Sequence, residues 1–389
     1  MLFRGAEVVS GGRSLGVQDV RTADGHIVGV GTILDAEGPA VDATGLVLAP
    51  GLIDLHIHGA VGYDTLDASS EAFRSIGRHL ASRAVTSWTP TTASHSRGTI
   101  DAVLAAHAAH VAHPRHPNEA RSLGIHLEGP YLSEARCGAQ DPTQLRDPEE
   151  DEWSSWLATG QVVEVTVAPE RDVGHRFIRA AVQHGVRVAL GHSDASYDEA
   201  LRAIDAGATQ ATHLFNGMPP IHHREPGIVG ACLTDLRVKV QLIADLVHLH
   251  PGVLRLAHTT AGTERVLLVS DSMRAAGMGD GDYLLAEQLV GVRGGVARTA
   301  AGGLAGSTLD LLTAVANYLA ATGCRLAEAI HCASGVPAAE LALDRRGEVR
   351  VAWAADLILL EPDGLRPMLT LIEDVVAHDA LPDERWIRR

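Results

Sequence analysis

Eight short apolar runs punctuate the middle of the chain, each with a polar or ionisable residue at or beside its end. They are residues 52–58 (LIDLHIH), 85–91 (VTSWTPT), 124–129 (GIHLEG), 163–170 (VEVTVAPE), 186–192 (VRVALGH), 210–214 (QATHL), 240–245 (VQLIAD) and 266–271 (VLLVSD). Runs of this length, rich in Val, Leu and Ile, suit strands buried on both faces. Between most of them the period changes to that of a helix. In 71–84, Phe73, Ile76, Leu80 and Ala84 fall on one face. Segment 196–206 opens on the capping box Ser196-x-x-Glu199 and ends before Gly207, and segment 308–322 follows Ser307-x-x-Asp310 and stops at Gly323. Eight strands alternating with helices predict an α/β fold, a (β/α)8 TIM-like barrel over 51–345. An open doubly wound sheet is the alternative.

The two ends of the chain read differently. Val8, Val9, Val17, Val20, Ile27, Val28, Val30 and Ile33 sit among Gly, Asp and Thr, and Val349 to Ile372 has a similar texture. Short strands with tight turns follow from such a pattern. Neither end can bury a sheet alone, so 1–50 and 346–389 are expected to combine into one small β-sandwich beside the barrel.

Composition adds exclusions. No apolar run reaches about 18 residues, which argues against a membrane span, and Met1–Glu7 does not resemble the start of a signal peptide. The expectation is a cytoplasmic protein with no membrane partner. A formal net charge of −16 argues against nucleic acid as a partner. Cys137, Cys232, Cys324 and Cys332 form no C-x-x-C pair. Lys239 is the only lysine, so any chemistry that needs an amine must use that position.

The strand ends carry the chemistry. In a barrel, reactions take place where strands end at the C-terminal face. His56 and His58 close the first run, two residues apart and so on one face of a strand. Glu128 ends the third, His192 the fifth and His213 the sixth; the seventh leads to Asp245 and His248, and the eighth ends on Asp271. Imidazoles and carboxylates gathered there suit Zn²⁺ or a similar divalent ion. A hydrogen-bonded histidine pair without metal is the alternative at His56 and His58.

Residues 50–59 (PGLIDLHIHG) resemble the entry motif of the amidohydrolase superfamily. Many of its members bridge two metals with a carboxylated lysine from strand four. No lysine stands there, which argues against hydantoinase-like, urease-like and dihydroorotase-like sites, and Glu128 could take the bridging place. The remaining motifs are similar to those of N-acetylglucosamine-6-phosphate deacetylases: 126–132 (HLEGPYL), 191–193 (GHS), 212–218 (THLFNGM) continuing to 222–227 (HHREPG), 243–248 (IADLVH), 270–273 (SDSM) and 304–307 (LAGS). They cover about 50–310 in the family order.

The resemblance implies a metal-dependent hydrolase acting on the acetamide of an amino-sugar phosphate, N-acetyl-D-glucosamine 6-phosphate, with release of acetate. Other N-acyl amino sugars or amines, and a silent sugar-phosphate-binding protein, are the rival functions. Glu128, His192 and His213 would bind metal, and three protein ligands leave a place for water. His56 and His58 would hold a second ion. Zn²⁺ is the expected metal, one or two per chain, with Fe²⁺, Co²⁺, Mn²⁺ and Cd²⁺ as alternatives. Asp271 would be the acid/base residue. Arg224 would bind the phosphate, since a guanidinium presents a planar fork to phosphate oxygens. Asn216 and Gly217 would join it, His248 would contact the sugar, and Leu304, Ala305 and Gly306 would line the pocket. His222 and His223 suit either the site or a solvated basic loop. The resemblance also implies a homodimer, in which Arg224 could serve the neighbouring subunit. One departure stands out. The family usually carries Gly-x-His after the Glu motif, a histidine associated with polarising the carbonyl, whereas this chain has Gly138-Ala139-Gln140. Ala139 and Gln140 are placed in the substrate pocket, with Gln140 as a neutral donor.

Overall fold

The computed structural model describes residues 1–32 and 38–388, so Ile33 lies outside the described residues. The eight apolar runs form eight parallel strands: β1 (Leu52–Ile57), β2 (Val85–Thr92), β3 (Ile125–Glu128), β4 (Val162–Val167), β5 (Arg187–Leu190), β6 (Gln210–Ala211), β7 (Lys239–Ile243) and β8 (Val266–Val269). Each pairs with the next in sequence order, from β1 on β2 through to β7 on β8. Between β8 and β1 no ladder runs. The seam is closed by single contacts: the Asp271 amide donates to the His56 carbonyl at 2.8 Å, the Ser270 amide to Asp54 Oδ1 at 3.2 Å, and Ile57 bridges to Ser272.

Burial on both faces explains why these strands read as nearly continuous apolar runs. Every residue of β1 and β2 is buried. On β1, Ile53, Leu55 and Ile57 join the same core as Phe73, Ile76 and Leu80 of helix Ser70–Ser82. Ser69 caps that helix, its hydroxyl accepting from the Ala72 amide. Ala84 lies beyond the helix with φ +69°, so only three of the four expected face residues are helical. Tyr197–Asp205 begins on the expected Ser196–Glu199 capping box. The helix expected after Ser307 starts later, at Leu311–Thr322, and Asp310 caps it. Ser307 is engaged elsewhere: its hydroxyl donates to the Ser270 carbonyl at 2.6 Å and supports the seam.

The chain ends meet in one sheet of nine strands among the described residues. Strand Leu2–Ser10 branches: Leu2 to Arg4 pair with Ala40–Asp42, whereas Glu7 and Val8 pair with Val47–Pro50. From the other end, Leu357–Glu361 pairs antiparallel with Val47–Pro50, and Trp386–Arg388 with Ala40–Asp42. The sheet has its own core, including Phe3, Val8, Ile27, Leu48, Leu359 and Leu371. The two chain ends thus combine into one β unit beside the barrel, as the sequence suggested, and its hydrogen-bonded ladder is continuous because the first strand changes partner halfway. Val47–Pro50 passes through Gly51 directly into β1. A Cβ at Gly51 would stand 2.2 Å from the Thr86 side chain, so the close approach of β1 to β2 at this entry requires glycine.

One element was not foreseen. Gly281–Leu285, Gln288–Arg293 and Val296–Thr299 form a three-stranded antiparallel sheet between β8 and the last long helix. Its inner face, with Leu285, Val290, Val292 and Ala297, packs on Met273 and Ala305 at the C-terminal mouth of the barrel.

Candidate active site

Three of the strand-end residues hold backbone conformations that side chains rarely adopt. His192, His213 and Asp271 have φ of +47°, +27° and +49°. Such residues cost about 1–3 kcal/mol each and persist only where the surroundings impose them. Here each sits where a strand gives way to its loop. The loops press closely on the site. A Cβ at Gly217 (φ +62°) would lie 2.9 Å from His192 Nδ1, and one at Gly306 (φ +58°) 3.0 Å from the Asp271 carbonyl.

The side chains converge in two groups that share Glu128. In the first, His213 Nε2 lies 3.0 Å from Glu128 Oε1 and 3.1 Å from His192 Nε2, and His192 Nε2 lies 3.3 Å from the same oxygen. In the second, the Nε2 atoms of His56 and His58 are 3.3 Å apart, at 3.5 and 3.3 Å from Asp271 Oδ1. His56 Nε2 also stands 3.5 Å from Glu128 Oε1, and His58 Nε2 3.3 Å from Glu128 Oε2. All six residues are buried.

These groups fit a divalent cation. With zinc bonds of about 2.0–2.1 Å, tetrahedral donors stand about 3.3 Å apart, close to the separations in both groups. For two of the four histidines, His192 and His56, an outer contact sets the ring tautomer as ligation requires. The Arg136 carbonyl at 2.8 Å can only accept, so the His192 proton sits on Nδ1 and Nε2 is free. Gln241 Oε1 faces His56 Nδ1 at 3.3 Å with the same result. Gln241 in turn donates to Glu164 at 2.7 Å. Sequence reasoning passed over Gln241; its signal was an amide in the middle of an otherwise apolar strand.

Electrostatics follow the same geometry. Burial pushes the Glu128 carboxyl up, but His56, His192 and His213 outweigh it and hold it well below the usual range. Burial acts on Asp271 in the same way, and His56 and His58 bring it down to about 2. Burial disfavours charge on His58, yet Asp271 and Glu128 raise it well above the ordinary imidazole value. His213 is held down by burial.

The site opens into a cavity of about 280 Å³ lined by His58, Glu128, His192, His213 and Asp271 together with Ala139, Gln140, Asn216, Gly217, His248, Leu304 and Gly306. His56 and Ala305 lie behind this wall, both fully buried. Asp245 accepts the His248 Nδ1 proton at 2.7 Å, which orients that ring. Leu285, from the unforeseen sheet, supplies part of the wall. Arg224 is not on it. It occupies an exposed loop with His222 and His223, and its guanidinium meets His223 Nε2 at 2.8 Å.

A parallel barrel that gathers imidazoles and carboxylates at its strand C-termini defines a metal-dependent barrel hydrolase. The amidohydrolase family model matches residues 47–379, and the chain belongs to that family. It is 35% identical to the N-acetylglucosamine-6-phosphate deacetylase of Lysinibacillus sphaericus, over 93% of this chain and 94% of that protein. It is 42% identical to the N-acetylgalactosamine-6-phosphate deacetylase of Escherichia coli O157:H7, over 88% and 90%. Among solved structures it is similar, at a TM-score of 0.91 and 33% identity, to a mutant N-acetyl-D-glucosamine-6-phosphate deacetylase from Mycobacterium smegmatis in complex with N-acetyl-D-glucosamine-6-phosphate. That match covers 97% of this chain and 99% of the other.

Proposed function

We propose that this chain hydrolyses the acetamide of N-acetyl-D-glucosamine 6-phosphate to D-glucosamine 6-phosphate and acetate, in the cytoplasm. The observation that carries the reading is Asp271 at the edge of a cavity whose floor is the Glu128–His192–His213 group. Deacetylases of hexosamine 6-phosphates among the relatives support it.

Glu128, His192 and His213 would hold the primary cation, and His56 and His58 a second, with Zn²⁺ the ion their donor set suits best. When bound, a divalent cation supplies Lewis acidity and a more acidic water at neutral pH. Asp271, ionised at neutral pH, takes a proton from the attacking water at its carboxylate and returns it to the departing amine nitrogen. An amine leaves poorly until protonated, so the return matters as much as the removal. His248, held by Asp245, contacts the sugar. Asn216 and the Gly217 backbone frame the phosphate side, with Leu304, Ala305 and Gly306 behind the ring. Ala139 and Gln140 flank the acetamide, and one amide hydrogen of Gln140 serves its oxygen.

N-acetyl-D-galactosamine 6-phosphate is the second reading, favoured by the 42% identity to a deacetylase of that sugar. Acetate release measured on both phosphorylated epimers and on free N-acetylglucosamine tests the proposal. Turnover of the gluco epimer with higher kcat/KM supports it. Preference for the galacto epimer selects the second reading, and no acetate from any of the three defeats both.

A further inference from the structure

Gln140 departs from the family pattern, and its contacts give it a job other than meeting substrate. It sits on the loop after β3, and only 6% of its surface is exposed. Its Oε1 accepts from the Ser94 backbone amide at 2.6 Å, just beyond the end of β2. Its Nε2 donates to Glu128 Oε2 at 2.7 Å. The orientation of the amide is not a free choice. A backbone N–H can only donate, so the atom facing Ser94 must be the oxygen, which leaves the nitrogen for Glu128. The loop is tied at the same residue by the Gln140 amide donating to the Cys137 carbonyl at 3.0 Å.

Glu128 is the hinge of the site. Its Oε1 faces His192, His213 and His56, while its Oε2 faces His58 and Gln140. A carboxylate that serves two groups must be fixed in rotation about its last torsion, which is otherwise broad. Of the contacts to Oε2, Gln140 makes the shortest. We infer that Gln140 is a positioning residue: held by Ser94, its side-chain amide locks the rotation of the Glu128 carboxylate, so that Oε1 is presented to His192, His213 and His56 and Oε2 to His58. This rests on Glu128 being a metal ligand. It gives the loop after β3 a part in building the metal site, in addition to covering substrate.

The test is divalent-ion binding to metal-free protein, read by Co²⁺ titration against a competing chelator and by the visible spectrum of the Co²⁺ form. Gln140→Met keeps the length of the side chain and removes both hydrogen bonds. The expected result is a Co²⁺ affinity weakened by about 10- to 100-fold, the usual cost of losing an outer partner of a ligand. The Co²⁺ bands should be altered, and the melting temperature of the metal-free protein should stay close to that of the unmodified chain. Glu128→Gln is measured beside it. Loss of Co²⁺ in Glu128→Gln with affinity and spectrum unchanged in Gln140→Met overturns the inference and leaves the metal site standing. Unchanged Co²⁺ binding in both variants removes the ligand reading and the inference with it. Should Gln140→Met fail to fold, the unmodified protein answers by NMR. The Gln140 side-chain amide, assigned through its contact with the Ser94 amide proton, should exchange slowly and shift when Zn²⁺ is added. Fast exchange and no response to Zn²⁺ overturn the proposal.

Discussion

The Nε2 atoms of His192 and His213 face one another at 3.1 Å, with Glu128 Oε1 within 3.3 Å of both. Two imidazole lone pairs and a carboxylate oxygen repel unless a cation or a proton lies between them. The Arg136 carbonyl already claims the His192 proton at Nδ1. The arrangement therefore suits an ion more than a hydrogen-bond network. Purified protein should carry about one to two divalent ions per chain, and His192→Ala should lose the primary one, as measured by elemental analysis. Metal content and activity that both survive this change would place the site elsewhere.

Asp271→Asn should leave the fold and the Glu128–His192–His213 ion in place, because Asp271 belongs to the other group. Turnover should fall by about 10²- to 10⁴-fold, the usual weight of a general acid/base. Steady-state kinetics together with metal content check this, and a loss under threefold would assign proton transfer to another residue.

Arg224 is exposed and stands outside its own chain's cavity wall. If it reads phosphate, it does so from a second copy. Arg224→Ala should then raise KM for the 6-phosphate sugar and barely change the unphosphorylated one. The loss corresponds to about 2–5 kcal/mol where a desolvated charge pair is broken. If a second copy supplies the arginine, as in the expected homodimer, dilution should erase the preference for phosphate in the unmodified protein. Equal effects on both sugars would show that Arg224 has no part in reading phosphate.

Glu164 lies on β4 beneath the site, and burial pushes its carboxyl up to about 8. Its folded value thus exceeds its unfolded one, which lies near 4.3. Between those two values the folded chain binds more protons than the unfolded chain, so stability falls as pH rises through the window. Glu164→Gln keeps an acceptor for Gln241 and removes the titration. The variant should lose less stability between pH 5 and pH 8 than the parent, by on the order of a few kcal/mol. Urea unfolding of the metal-free proteins at the two pH values measures it; parallel losses would show that another group titrates.

The barrel was legible because its strands are buried on both sides, so apolar runs ended where the chemistry began, and His58, Glu128, His192, His213, His248 and Asp271 from those ends line one cavity. The sheet over 281–299 escaped because its strands are half exposed and alternate, as Gly281–Leu285 does, and carry few apolar residues. Gly294-Gly295 between Val292 and Val296 was the available turn signal. The start of the last long helix was misplaced because Ser307 and Asp310 are both good caps, and only the tertiary contact of Ser307 with Ser270 decides between them. The clamps made by Gln140 and Gln241 depend on distances between strands and loops far apart in sequence, which no local pattern records. The exposure of Arg224 has no signature in its motif, which gives residue order and not position on the surface.

The seam between β8 and β1 has a further consequence. Seven strand pairs zip the barrel, but its last gap is stitched by a few single bonds, among them the Asp271 amide to the His56 carbonyl and the His58 amide to the Ser272 carbonyl. The polypeptide that closes the cylinder is the polypeptide that presents the reactive groups. Local opening is expected at this stitch, where few backbone bonds must break, and an opening there would carry Asp271 away from His56 and His58. Ligands that gather those three side chains therefore also fasten the cylinder, so the architecture and the chemistry draw on one and the same stretch of backbone.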